Sequence, residues 1–297
     1  MSSQRLKYPM DKDNFAMVSN DWLVDMRRYN MIVVDVASDN LPFLQRCTQG
    51  LFDHFGPHVT EDPKTWETTN FPDSTSPFLI CAFAESEAAF RARLHPTIVK
   101  VCATLYGTTS LMTTIDHYDF KRATVIDGLV RSEYKSAALS LHIDIDPNAY
   151  VVQRNKGNIL YQAMLAINEN SHETGSFVAV PGSANELVEW VRSKNSAADK
   201  KVPPYNINQS QRIPLRAGHA VFWDMGMTHA NFVGHHSSEP RLTQYVRMVP
   251  ITEWAIHLEP RCVRAYWEKH QQKRDVVSNM NWTEDERKML DLPKRKR

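Results

Sequence analysis

The chain's 297 residues leave room for one large domain or two small ones, and 42% hydrophobic with 23% charged residues is the composition of a soluble globular protein with an ample core. A formal net charge of +1 sets up no global field toward nucleic acid or an acidic membrane surface, and no apolar run is long enough to span a bilayer. The N-terminus lacks a signal peptide's apolar stretch. Cys47, Cys81, Cys102 and Cys262 are scattered with no Cys-x-x-Cys pair, so they read as buried reduced thiols of a cytoplasmic protein.

Residues 1–20 read as a loosely structured lead-in. Asn20-Asp21 caps a short helix over Trp22–Tyr29, and the β-branched run Met31–Val36 reads as a strand. Asp39 or Asn40 opens a second helix with Pro42 in its first turn, where proline loses nothing. Leu44, Cys47, Leu51, Phe52 and Phe55 form its apolar stripe, most simply core. A polar loop occupies 56–77. Helices are expected over Glu85–Arg93 and from Pro96 to a cap at Gly107.

The helical period then disappears. Leu111–Lys121 is strand-like. Leu139–Asp146 alternates strictly, placing Leu139, Leu141, Ile143 and Ile145 on one face and Ser140, His142, Asp144 and Asp146 on the other. Asn158–Ile167, Gly175–Ser183, Gln211–Leu215, Ala220–Asp224 and Arg241–Val249 follow as further short extended stretches, with a helix over Asn185–Arg192 among them. Many short strands divided by Gly, Pro and Asn turns suggest a sandwich or jelly roll. Helices cluster before it and one short helical tail follows. With no linker or repeat, 1–297 reads as a single domain: about 1–110 helical, 111–250 the β core, and 251–297 the tail.

Chemistry concentrates in the alternating stretch. His142 and Asp144, at i and i+2 of an extended strand, can hold one cation between their tips. With a distant second histidine such a pair is the two-histidine, one-carboxylate set that binds non-haem Fe(II) and leaves positions open. His229 follows the strand ending in Trp223-Asp224. Twelve residues on begins a strand with Arg241, Thr243, Tyr245 and Arg247 on one face. An arginine fork suits a carboxylate, and Thr243 can add a hydroxyl.

These residues carry a resemblance to the phytanoyl-CoA dioxygenase family of Fe(II)/2-oxoglutarate oxygenases. Gly107 leads to Asp116-His117-Tyr118-Asp119-Phe120-Lys121, and the stretch Leu141 to Pro147 matches Leu-His-x-Asp-x-Asp-Pro. Gln162 leads to Gly175, Phe177, Val180, Pro181 and Gly182. The last block runs Gly218-His219, Trp223, Thr228-His229-Ala230, then Pro240-Arg241-Leu242-Thr243-Gln244-Tyr245 to Met248 and Pro250. The resemblance spans roughly 95–290 and implies a mainly β fold with flanking helices, a double-stranded β-helix (jelly-roll) core. It implies iron ligands at His142, Asp144 and His229 and a clamp at Arg241 for the distal carboxylate of 2-oxoglutarate. Gln162, Met164, His117 and Lys121 fall near the cosubstrate pocket. The implied activity is hydroxylation of a small organic substrate with O2, releasing succinate and CO2. His219 replaces the family's aspartate, Ala230 its glycine, and the loop before Arg241 is one residue longer, which makes Arg247 the fallback clamp.

Plainer readings stand beside these. His117-Tyr118-Asp119 is a second His-x-Asp, Asp146 can simply cap the turn into Pro147, and His235-His236 is most simply a solvated loop. Glu133, His172 and Glu173 read as surface charges. Lys294–Arg297 reads as a frayed basic end, or else a nuclear import signal. Two other functional classes remain, a cupin-like metal-binding protein and a catalytically inactive scaffold relative. The substrate, protein partners and oligomeric state are not written in the sequence.

Overall fold

The computed structural model describes residues 5–71, 80–83, 85–136, 139–193, 205–232, 236–259 and 261–294. Helix α1 (Trp22–Tyr29) starts where the Asp21 carboxylate accepts from the amides of Leu23 and Val24. It stops at Asn30, whose φ of 58° is a left-handed cap. Asn40 and Ser86 cap α2 (Leu41–Phe55) and α3 (Glu87–Arg93), and α4 (Pro96–Tyr106) ends on Gly107 at φ 66°.

Six antiparallel strands form the larger sheet, in the order β1 (Met31–Asp35), β11 (His219–Asp224), β8 (Tyr161–Ala166), β13 (Arg241–Val246), β4 (His117–Lys121) and β2 (Ile80–Phe83). Four form the smaller one: β10 (Gln211–Ile213), β9 (Phe177–Ala179), β12 (His229–Asn231) and β7 (Leu139–His142). Two further pairs are β3 (Leu111–Thr113) with β14 (Met248–Pro250), and β5 (Val125–Ile126) with β6 (Leu129–Val130). At Gly218, before β11, φ is +79° and a Cβ would stand 2.5 Å from the Ala37 carbonyl carbon, so only glycine fits.

The period of two divides the larger sheet into two faces. Ile32, Val34, Tyr118, Phe120, Ala163, Leu165, Phe222 and Leu242 join one core with the α2 stripe, Phe90 of α3 and Ile98 and Val101 of α4. Phe120 is its hub, with ring centroids 5.1–6.0 Å from Trp66, Phe52, Phe55 and Phe71. On the other face Met31, Val33, Met164, Ala166, Val221 and Trp223 pack with Phe177, Ala179 and Ile213 of the smaller sheet. That inner face is apolar at the β1 end. Toward β13 and β4 the alternation instead directs Arg241, Thr243, Tyr245, His117, Asp119 and Lys121 inward.

Five expectations change. The extended stretch expected over Arg241–Val249 is divided between β13 and β14, which belong to different sheets, with Arg247 between them. The strand expected over Leu139–Asp146 ends at His142, because Asp146 caps a helix, α5 (Pro147–Arg154), accepting from the amides of Asn148 and Ala149 with Pro147 at its first position. Leu111–Lys121 is two strands with different partners, not one. The helix expected over Asn185–Arg192 is α6 (Ser183–Ser193). The short tail is four helices, α7 (Glu253–Leu258), α8 (Val263–Lys269), α9 (Gln271–Ser278) and α10 (Glu284–Met289). They bury Trp267 and Trp282 beside Phe90, a tertiary contact that their short apolar patterns do not announce. His235 and residues 295–297 lie outside the described residues. No helix among the described residues is long and apolar enough to cross a membrane.

Candidate metal centre and cosubstrate pocket

Strands β7 and β12 are neighbours in the smaller sheet, with His142 directly opposite His229 and the ring centroids 4.4 Å apart. The chain turns just after His142, which brings Asp144 back over both rings. Its two oxygens lie 3.3 Å from His142 Nε2 and 3.7 Å from His229 Nε2. One ligand atom from each of the three lies within 4.8 Å of the others, the only such group of His, Cys, Asp and Glu among the described residues.

The far nitrogen of each ring decides what the near one can do. His142 Nδ1 lies 2.8 Å from the Ser140 carbonyl and His229 Nδ1 3.0 Å from the Met227 carbonyl. A carbonyl can only accept, so Nδ1 carries a proton, and each Nε2 faces Asp144, where a cation can take the place of its proton. Phe177 and Trp223 wall in the His229 ring, at 5.7 and 5.2 Å between centroids. Burial pushes His229 down to about 4, against the pull of Asp144. For His142 burial also acts downward, but the hydrogen bond and charge of Asp144 outweigh it and the net shift is upward. Burial acts to raise the Asp144 carboxyl, yet the two histidines together hold it well below the usual carboxylate range. Two imidazole Nε2 atoms and an ionised carboxylate converging on one point fit a first-row divalent cation, which would displace any proton held at Nε2.

A cavity of ≈ 170 Å³ opens at the triad, lined among others by Gln162, Phe177, Trp223, Asn231, Tyr245 and Arg247. His117 also lines it. Arg241 is fully buried beyond this lining; its Nε donates to Asn170 and its Nη2 to Asn231, both at 3.1 Å, with Met164 Sδ also 3.1 Å away. Asn231 Nδ2 in turn donates to Tyr245 Oη at 2.7 Å, so two residues that line the cavity connect the guanidinium to it. Arg241 Nη1, Gln162 Nε2 and Trp223 Nε1 are buried donors with no hydrogen-bond partner among the described residues. Buried donors are normally satisfied, so these three call for an acceptor-rich ligand.

The remaining sequence candidates separate. Met164 pairs with Tyr245 across β8 and β13, one layer in from Gln162. Thr243 is buried with its hydroxyl donating to the Asp119 carbonyl at 3.4 Å, which engages the donor expected for the cosubstrate. Lys121 is buried opposite Arg241 and donates to the Phe232 carbonyl at 3.2 Å. Arg247, the fallback clamp, lines the cavity but is tied to Glu259, with Asp116 at 3.9 Å. Asp119 faces Arg241 at 3.4 Å, so the second His-x-Asp assembles no metal group. The sequence reading placed Tyr245 on the Arg241 face but gave neither it nor Asn231 a role in the site. The signal was present in Asn231, which lies two residues past His229 and so shares its face of the strand.

No curated protein matches this chain. Solved structures that resemble it include the non-haem alpha-ketoglutarate-dependent epimerase SnoN from nogalamycin biosynthesis, with 16% identity over 77% of this chain and 82% of that one and a TM-score of 0.52. HygX from Streptomyces hygroscopicus, with nickel, 2-oxoglutarate and hygromycin B bound, has 13% identity over 79% and 88% and a TM-score of 0.51. EctD from S. alaskensis, with 2-oxoglutarate and 5-hydroxyectoine, has 15% identity over 82% and 79% and a TM-score of 0.50. At such identities the likeness is one of fold. The family model for phytanoyl-CoA dioxygenase (PhyH), however, matches residues 59–243, from the loop after α2 through Thr243. That is more than half of the sequence and includes all three triad residues, and the chain belongs to the phytanoyl-CoA dioxygenase family.

Proposed function

We propose that this protein is an Fe(II)- and 2-oxoglutarate-dependent oxygenase that hydroxylates a small organic substrate within a double-stranded β-helix core, the whole chain forming one oxygenase domain. The observation that carries the reading is the pair of Nδ1–carbonyl contacts that direct both Nε2 atoms and the Asp144 carboxylate to one point. His142, Asp144 and His229 hold the iron. Bound iron with 2-oxoglutarate and O2 supplies an oxidation of an unactivated C–H bond coupled to loss of CO2 and formation of succinate.

The chain's own residues bind, orient and exclude water. Arg241 clamps the distal carboxylate, supported by its unpartnered Nη1 and by its contacts with Asn231 and Met164 toward the triad. Gln162 and Trp223, each with a buried unpartnered N–H, direct donors into the cavity. Phe177 and Trp223 keep the His229 side dry, which strengthens every electrostatic contact there. A second reading assigns the clamp to Arg247, because it lines the cavity directly. Its tie to buried Glu259 favours Arg241. The cupin-like reading predicts no cosubstrate binding, and an inactive relative would be free to lose one of His142, Asp144, His229 and Arg241, all of which are present.

The test is anaerobic calorimetry with a redox-silent divalent metal. 2-Oxoglutarate should bind, and succinate, which lacks the 2-oxo chelating group, should bind more weakly. Equal affinity for the two would sink the assignment. A metabolite screen scored by succinate release and gain of one oxygen then identifies the substrate, and products without added oxygen would exclude hydroxylation.

A further inference from the structure

Asp119 is 1% exposed on the inner face of β4, and one of its oxygens lies 3.4 Å from Arg241 Nη2. Neither oxygen accepts a hydrogen bond among the described residues. A buried carboxylate kept only for structure gathers donors, since each lone pair left bare retains its desolvation cost. The same molecule shows this elsewhere. Asp224 accepts from Tyr150, Arg154 and the Gly226 amide. Glu259 accepts from Arg247 and from the side chain and amide of Arg261. The Asp119–Arg241 pair is the loosely made one, and it occupies the guanidinium that a dicarboxylate needs.

A second cation stands beside it. Lys121 lies two residues along the same strand face, about 7 Å away at strand rise. It is 3% exposed and sits opposite Arg241 in the β4–β13 register. An ammonium has three donors, and among the described residues only the Phe232 carbonyl accepts from it. Burial, followed by the charge of Arg241, lowers Lys121 to about 7, while Asp119 is near enough to act in the opposite direction. Protonated Lys121, Arg241 and Asp119 together leave one positive charge, which an incoming carboxylate neutralises.

We infer that Asp119 is an exchangeable counter-ion: it holds Arg241 while the cosubstrate is absent and transfers to Lys121 when the distal carboxylate of a dicarboxylate arrives. This rests on the reading of Arg241 as the cosubstrate clamp. Asp119 is then a positioning residue that tunes affinity, and Lys121 acts through it instead of touching the cosubstrate.

The test is a double-mutant cycle on the full chain loaded with Mn(II) without O2. The dissociation constant of 2-oxoglutarate is measured for wild type, Asp119→Asn, Lys121→Met and the double variant. Removing the internal competitor should tighten binding about tenfold in Asp119→Asn, and Lys121→Met should weaken it by a similar factor in the wild-type background, in line with coupling between close charge pairs. In the Asp119→Asn background Lys121→Met should change it by less than about threefold. Asp119→Ser, smaller and equally uncharged, gives the same reading should the asparagine variant not fold. Weaker or unchanged binding on loss of the Asp119 carboxylate makes it a structural brace and overturns the inference. An equal loss from Lys121→Met in both backgrounds means that Lys121 meets the cosubstrate itself, which also overturns it. Failure of the Mn(II)-loaded wild type to bind 2-oxoglutarate instead removes the oxygenase reading beneath it.

Discussion

Arg241→Lys keeps a positive charge and removes the fork, so it isolates geometry from charge at the proposed clamp. Arg241 is fully buried, and its Nε and Nη2 are engaged with Asn170 and Asn231. An ammonium on a straight stem cannot make those bonds and also present two parallel donors to a carboxylate. Breaking a buried charge-assisted contact outright costs about 2–5 kcal/mol, roughly 30- to 4,000-fold in affinity at 1.4 kcal/mol per decade. With the charge retained, the loss for Arg241→Lys should be about 10- to 100-fold. Arg247→Ala should behave differently. It leaves the carboxylates of Glu259 and Asp116 buried with fewer cations, a stability loss of about 3–5 kcal/mol, with little change in cosubstrate affinity. Both readouts are needed: anaerobic 2-oxoglutarate titration with a redox-silent metal, and denaturant unfolding of the same samples. Arg241 opens β13 and Arg247 lies just past its end, six residues on, about 20 Å if the chain stayed extended, so one cosubstrate cannot use both as its clamp. A folded Arg247→Ala that loses affinity more than tenfold, beside an Arg241→Lys within threefold of wild type, would refute the assignment.

His142→Ala and His229→Ala should each abolish Fe(II) binding while His117→Ala retains it; unchanged iron affinity in His142→Ala would remove the triad. Asp144→Glu lengthens the side chain by one methylene and should abolish turnover, so full activity there would show that Asp144 is no ligand. Phe120→Ala, at the hub of four ring contacts, should cost about 3–5 kcal/mol in denaturant unfolding, and a loss below about 1 kcal/mol would mean that the helical layer does not depend on this core. Lys121 titrates at about 7 in the folded chain against about 10.4 unfolded, so between these values the unfolded chain binds more protons and metal-free stability rises with pH. From pH 7 to 9 wild type should gain about 2 kcal/mol relative to Lys121→Met, and a pH-independent difference would contradict the buried position of the amine.

Local signals in the sequence were sufficient for α1 to α4, for α6 and for the family, but not for α5 or the four C-terminal helices. Asp21, Asn40, Ser86 and Gly107 mark helix ends through hydrogen bonds and backbone angles that depend only on near neighbours. The α2 stripe and the alternation along β8, β11 and β13 identify buried faces for the same reason. Period and face are properties of a strand taken alone. The partner that a side chain meets across the sheet is not. Nothing local distinguishes Arg241, engaged by Asp119, Asn231 and Asn170, from Arg247, engaged by Glu259, since by period alone both fall on one face of one extended stretch, and only the fold ends β13 at Val246. Asp144 could be read as sharing a strand face with His142, but Asp146 and Pro147 end that strand by starting α5, and its carboxylate reaches both histidines from a turn. The packing of Trp267 and Trp282 on Phe90, and the meeting of His142 with His229 across 87 positions of chain, depend on long-range contacts. Sequence periodicity carries the direction in which each side chain points, whereas only the register between distant strands decides what it finds there.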